Sequence, residues 1–355
     1  MARLKTHLLE GITWLTQRVL AQPQGLARDF AATFGVSRVA ATTFIRGCVD
    51  AGFLVKEGSK TRPSYALGRR RFLRQRYSVP GIDESHICSK DFIPYLQPLP
   101  QNLESIFHYG FTEILNNAND HSEGNEVIAS AYKDGKDLLL SIEDNGIGIF
   151  EKIAHALQLP DRRLALLELG KGKFTTDKNN HSGEGIFFAS RIFDLFSIRA
   201  NGLTFKHDDE VPLDILSEDE IISFKDAFGG RGTLVSMSIA ENSQRTMAEV
   251  FDRFTLNKDE LNFDKTIVPV RLAKVGSENL ISRSQAKRLL HRLEKFKHIE
   301  FDFSEIEMIG QAFADEVFRV FKNKHPDIVL KPTNTSNEVR KMIGRVAPLN
   351  GFSTE

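Results

Sequence analysis

The chain has 355 residues, 41% hydrophobic and 26% charged, with 47 basic side chains against 47 acidic ones, the ordinary balance of a globular protein of two or three domains. No stretch approaches the ~20 apolar residues of a membrane span, and the opening MARLKTHLLEG lacks a signal-peptide core, so a cytoplasmic protein is expected. Cys48 and Cys88 are the only cysteines, which excludes a disulfide framework and a cysteine-rich metal site.

The zero net charge hides an asymmetry. Residues 1–80 carry 14 basic side chains and 4 acidic ones, a surplus of +10 that the rest of the chain balances. A basic head of this kind points to a polyanion partner. Leu4, Leu8, Ile12, Leu15 and Val19 recur at helical spacing over residues 4–20. Residues 26–36 and 37–52 then read as two short helices joined at Gly35-Val36, with Ser37 placed to cap the second. FLVKEG and PSYALG follow as short strands around a Gly-Ser-Lys-Thr-Arg turn.

Helix, helix-turn-helix and basic hairpin in this order resemble a winged helix-turn-helix domain over residues 1–68. The resemblance implies that the second helix of the pair enters the major groove of DNA and the wing touches phosphate. It brings forward Arg38, Thr42, Thr43 and Arg46 on that helix and Lys60 and Arg62 in the wing. A winged helix used for protein contact is the alternative; the basic surplus favours DNA. RRRFLRQR at residues 69–76 reads as a phosphate-contacting arm or a solvated linker helix, within a basic, proline-containing lead-in over 69–101.

Residues 107–121 read FHYGFTEILNNANDH. Phe107, Phe111, Ile114, Leu115 and Ala118 share one helix face. Glu113 and Asn117 lie one turn apart, so a carboxylate and a carboxamide converge on one point. Such a pair can hold a hydrated Mg²⁺ and orient a water or hydroxyl. EVIASAY and DLLLSIED flank Lys133-Asp134-Gly135-Lys136, a hairpin signal. The second strand runs into DNGIGI, where glycines allow close backbone approach and a strand-end Asp can accept from an amino group.

Together these stretches resemble the nucleotide site of the GHKL superfamily, which includes gyrase B subunits, ninety-kilodalton heat-shock chaperones and histidine kinases. The resemblance covers about residues 102–241, in a domain set at 102–245. It implies Glu113 as general base, Asn117 as Mg²⁺ ligand, Asp144 as acceptor for the adenine amino group, and Gly146 and Gly148 as nucleotide contacts. A lid is expected near residues 150–182, with two helices at 150–159 and 161–169. Gly172-Lys173-Phe174 is similar to the lid opening of gyrase-type members. The turn containing Gly183 and Gly185 resembles the one before the phosphate-facing helix, where free N–H groups favour phosphate. Lys171 and Lys173 either neutralise the terminal phosphate or are lid surface. Residues 208–220 read as an acidic surface excursion. Thr233, in GGRGTLVSMSI, matches the Thr that approaches adenine, with strand propensity as its competing reading.

Residues 263–346 alternate strand and helix, with Ser282/Gln285 and Thr335/Glu338 as capping boxes, and make a small α/β layer. FDFSEIEMIGQAFADEVF resembles the central strand and helix of STAS domains, the anti-sigma-antagonist type. Where that family carries a phosphorylatable Ser, this chain reads Gly310-Gln311-Ala312. The resemblance therefore implies docking, dimerisation or regulation rather than phosphoacceptance.

The fold expected is multidomain α/β: a winged helix, a GHKL sandwich with a mixed sheet covered by helices on one face, and a STAS-like domain. The function expected is an ATP-binding regulator, a Mg²⁺-dependent ATPase switch coupled to DNA. Its partners are ATP, DNA through the head, and a protein or second copy through the tail, with no membrane. A serine kinase of the anti-sigma type, a non-hydrolysing nucleotide sensor and an interaction scaffold are the alternatives.

Overall fold

The computed structural model describes residues 8–59, 61–174, 183–208, 227–256, 262–274 and 279–347. It is a multidomain mixed α/β protein that divides into two units. The first unit comprises Met1–Ile149 and Ala189–Thr246, the second Phe150–Phe188 and Met247–Glu355. Among the described residues no helix is long and apolar enough to cross a membrane.

The first unit begins with α1 (Leu8–Ala21), α2 (Leu26–Phe34) and α3 (Arg38–Asp50), then the antiparallel hairpin of β1 (Leu54–Gly58) and β2 (Pro63–Leu67). Its local signals are those the sequence offers. Gly35 ends α2 in the left-handed conformation that glycine adopts without steric cost. The Ser37 hydroxyl accepts from the Ala40 N–H at 3.1 Å and starts α3. Ile12, Leu15, Phe30, Ala41 and Ile45 form the core of this head.

The head does not end at a linker. Most of residues 69–76, expected as a phosphate-contacting arm or a solvated linker helix, lies in β3 (Arg71–Ser78), an edge strand of a six-stranded sheet. The arginines hid a strand in which Arg71, Phe72 and Leu73 are all buried. Burial of Arg71 is met by donation from Nε to the Tyr95 carbonyl at 3.1 Å. Phe72 joins Tyr132 and Leu139 in the same apolar cluster as α1–α3. The Arg74 N–H donates to Thr13 Oγ1 at 3.1 Å, which ties α1 to the strand edge.

After a helical run over residues 84–96, labelled α4, comes the long α5 (Gln101–His121). The remaining strands are β4 (Glu126–Lys133), β5 (Asp137–Asp144), β6 (Leu195–Ala200), β7 (Leu203–Asp208) and β8 (Thr233–Ala240), and the sheet order is β3-β4-β5-β8-β6-β7. Every neighbouring pair is antiparallel, not mixed as expected. The long crossover does make β5 and β6 parallel, but β8 inserts between them and runs against both. The apolar stripe of α5, with Phe107, Phe111, Ile114 and Leu115, is fully buried. At Gly110 a Cβ would lie 2.5 Å from the Phe193 ring, so helix and neighbouring core meet at glycine distance. The opposite sheet face carries Leu139 and the α1–α3 contact. Helices thus lie on both faces.

The second unit contains α6 (Ile149–Ala156, whose first residue belongs to the first unit) and α7 (Leu164–Lys171). Next comes α8 (Gly185–Ile192), which it shares with the first unit, and then α9 (Met247–Phe254). Then β9 (Lys265–Pro269), α10 (Arg283–Leu290), β10 (His298–Asp302), α11 (residues 311–324), β11 (Val329–Thr333) and α12 (Asn337–Val346) alternate. The strands form a parallel sheet in the order β11-β10-β9, the arrangement that β–α–β alternation imposes. Ser282 and Gln285 form the expected capping box. At α12 the cap is Ser336 rather than Thr335, its hydroxyl accepting from Val339 N–H at 3.1 Å, while Glu338 pairs with Lys341. The one-residue slip puts Val339, not Glu338, at the third helical position, so no reciprocal box closes.

Candidate functional site

The sheet delivers Asp144 at the last position of β5, on the strand parity that Leu140 and its register partner Met237 turn toward Gly110 of α5. Asp144 is 5% exposed. Its Oδ1 accepts from the Gly146 N–H at 2.9 Å and the Thr233 N–H at 3.3 Å. Burial pushes its carboxyl from the ordinary 3.8 up to about 6, against the lowering effect of the Gly146 and Thr233 hydrogen bonds.

The backbone around it is compressed. Gly232 has φ +78°, and a Cβ there would lie 1.9 Å from the Asp144 carbonyl oxygen. A Cβ at Gly146 would lie 1.9 Å from the Ser122 carbonyl oxygen just beyond α5, and Ile147 N–H donates to that same oxygen at 3.0 Å. Thr233 Oγ1 accepts from the Ile149 N–H at 3.0 Å, closing the loop onto β8. Side chains that sequence reasoning passed over do much of this fixing. Asn145 Oδ1 accepts from the N–H groups of Asn125 and Glu126, and Asn201 Nδ2 donates to the Ile147 carbonyl at 2.9 Å beside Gly148. Glu143 Oε1 accepts from the N–H groups of Ala227 and Phe228 at 2.6 and 3.3 Å, anchoring the segment that leads to Thr233. Asn-Gly at 201–202 was legible as a turn, but nothing local says which strand-end it would brace.

Glu113 and Asn117 are half-buried on α5. Asn117 Nδ2 donates to the Glu113 carbonyl at 2.6 Å. A carbonyl oxygen only accepts, so the amide nitrogen must face it and Oδ1 points the other way. That leaves an oxygen donor of the kind Mg²⁺ takes when phosphates and water complete its octahedron. Asn117 Oδ1 therefore fits the role of one Mg²⁺ ligand. Among the described residues no group of three or more His, Cys, Asp or Glu forms an all-protein metal site.

The remaining expected nucleotide contacts, Lys173, Gly183 and Gly185, belong to the second unit. Residues 175–182 lie outside the described residues, as does most of the acidic stretch 208–220. Lys173 Nζ donates to the Lys295 carbonyl at 3.4 Å and lies over the rings of Phe263 and Phe296, at 5.3 and 4.9 Å from their centroids. Beside it, Lys171 is 1% exposed. Its Nζ donates to Glu168 Oε1 at 2.6 Å and to the Arg288 and His291 carbonyls at 3.1 and 2.9 Å, at the C-terminal end of α10. Arg292 Nη1 donates to Glu168 Oε2 at 3.0 Å, and its other nitrogen to the Lys173 carbonyl. Burial lowers the Lys171 ammonium from 10.5 to about 8, despite the adjacent Glu168.

In the head, Arg38, Thr42, Thr43 and Arg46 are all exposed on α3, and Arg62 is exposed in the β1–β2 turn; Lys60 lies outside the described residues. Thr42 Oγ1 donates to the Arg38 carbonyl at 2.8 Å and Thr43 Oγ1 to the Val39 carbonyl at 3.0 Å.

A family model described as "STAS-like domain of unknown function (DUF4325)" matches residues 285–340, and no curated protein matches the chain. The C-terminal segment is a STAS-like domain. It spans α10 to the start of α12, and its central strand β10 runs into the turn before α11. Gly310 caps α11, and a Cβ there would lie 2.7 Å from Ile281 Cα, so a serine at this position would collide with backbone. The nearby Ser304 hydroxyl is engaged, donating to Asp302 Oδ1 at 2.7 Å. The STAS-like segment thus lacks a hydroxyl at the head of its central helix.

Proposed function

We propose that this chain is an ATP-responsive regulator, with a GHKL-type nucleotide site in its first unit, a winged helix-turn-helix head that binds duplex DNA, and a STAS-like docking module. The observation that carries the reading is the site around Asp144. A strand-end carboxylate buried to 5% is held by the Gly146 and Thr233 N–H groups, in a loop too tight for any side chain at Gly146 or Gly232. One layer of the same fold carries Glu113 and Asn117 on the helix that packs against that strand's sheet.

On this reading the Asp144 carboxylate accepts from the adenine amino group, and Thr233 stands next to it. Asn117 Oδ1 would hold a Mg²⁺ ion, which would supply charge neutralisation at the nucleotide's phosphates. Glu113 accepts a proton from the water that attacks the terminal phosphate. Lys173, Gly183 and Gly185 enter by resemblance alone. The shared core of α1–α3 with Phe72, Tyr132 and Leu139 supports coupling, because the head is packed on β3, β4 and β5, the last of which ends at Asp144.

The test is the fate of the terminal phosphate of labelled ATP with Mg²⁺, for the natural chain and for Glu113→Ala. Free phosphate from the natural chain, lost in the variant, is the expected result. Label transferred to protein would replace the hydrolytic switch with a kinase, and bound but unchanged ATP would replace it with a sensor.

A further inference from the structure

The outward face of α3 has an unusual composition for a helix that meets a polyanion. Val39, Thr42, Thr43 and Arg46 stand at i, i+3, i+4 and i+7, all exposed, while Ala41, Ile45 and Cys48 are buried on the opposite side. Only the last of the four is charged. Val39 is 77% exposed, the most exposed large apolar side chain among the described residues, and it sits in the first turn of the helix. The first turn of a recognition helix is the part that reaches base edges.

The neighbours of Val39 sharpen its chemistry. Both threonine hydroxyls donate back to helix carbonyls, at 2.8 and 3.0 Å. Their hydrogens are committed to the helix, so this face offers methyl groups and lone pairs to a partner but no free hydroxyl donor. Apart from Arg46 at its far end, the face is a poor match for the acceptor-rich edge of guanine. It suits the thymine edge, which presents a C5-methyl group in the major groove. Arg38 and Arg46 flank the apolar patch, and Lys56 and Arg62 are exposed on the hairpin. No acidic residue stands in the first turn of α3, so the helix N-terminus keeps its attraction for phosphate. The charge complements a duplex rather than an apolar protein surface.

We propose that Val39 is a base-reading residue, packing its side chain on the C5-methyl of a thymine in the major groove, with Thr42 and Thr43 enclosing the contact. This rests on the duplex-binding reading given above.

The test uses the full chain to enrich duplexes from a random-sequence pool. Each thymidine of the enriched duplex is then replaced by deoxyuridine, which removes only the methyl. One position is expected to weaken binding about fourfold, the scale of one buried methyl group. In Val39→Ala the same replacement is expected to have no further effect. Val39 is surface-exposed, so this variant keeps its fold, checked by an unchanged thermal midpoint. Insensitivity at every thymidine, or an undiminished penalty in Val39→Ala, would overturn the assignment while leaving DNA binding intact. Failure to enrich any duplex would remove the DNA reading itself and leave the face to a protein partner.

Discussion

At Asp144, burial and hydrogen bonding act on one carboxylate with opposite signs, and burial wins. Its folded-state value is near 6 against an ordinary 3.8, so the native state holds this proton more tightly than the unfolded chain does. The burden of the buried charge is absent below pH 4, grows between pH 4 and 6, and is complete above that. Asp144→Asn removes the charge while keeping an oxygen that can accept from Gly146 and Thr233. The ligand-free variant is therefore expected to be more stable than the natural chain at pH 7.5, by up to about 3 kcal/mol. The difference should vanish near pH 4. Denaturant midpoints at both pH values check this, and equal midpoints at pH 7.5 would contradict it. The Asp-Asn-Gly motif made Asp144 legible in sequence. Asn201, which braces the Ile147 carbonyl, and the approach of Gly232 to the Asp144 carbonyl were not, because they come from the β6–β7 turn and the lead into β8, which only the fold brings alongside.

At the scale of elements, capping signals were the most legible part of the chain, and their errors are errors of register. Ser37 and Ser282 cap the helices expected of them, but Ser336 takes the place of Thr335. Ser336→Ala is expected to lower stability by about 1 kcal/mol, and Thr335→Ala by only a few tenths, in paired thermal or urea unfolding. Strand β3 was illegible because its arginines read as a solvated run, and β6 and β7 because a glycine-rich turn drew attention to the helix before them. The lid region shows a second limit. Lys171 looked like a phosphate ligand or a surface residue, yet α7 buries it against the end of α10, where Glu168 and Arg292 complete an ionic cluster. Only the STAS-like layer explains that burial, and no local spacing predicts it. Lys171 stays paired with Glu168 when Arg292 is removed, so Arg292→Met loses charge-assisted hydrogen bonds rather than the whole pair and is expected to cost about 1.5–3 kcal/mol. Combined with Glu168→Gln it should cost less than the sum of the two single losses, because both variants break the same contact. A purely additive double variant would show that the two side chains are not coupled.

At the scale of the molecule, the sequence divides head from sheet near residue 68, while the fold packs them into one core. Phe72, Tyr132 and Leu139 are buried with Ile12, Leu15 and Phe30. A chain beginning at residue 69 would expose that apolar face to water. It is expected to melt several degrees lower than the full chain and to bind an apolar dye that the full chain does not. Equal melting and no dye binding would mean the head is an independent appendage. The second unit brings together residues 150–188 and the STAS-like segment, two regions that sequence reading assigned to different domains. Whatever these units do, the central claim is that Asp144 belongs to a nucleotide site. The most direct measurement is equilibrium binding of labelled ATP to the full chain and to Asp144→Asn, at pH 7.5 with Mg²⁺. The account predicts saturable binding to the natural chain and its loss in a folded variant of equal or higher stability. Absence of ATP binding, or binding unchanged in Asp144→Asn, would contradict it.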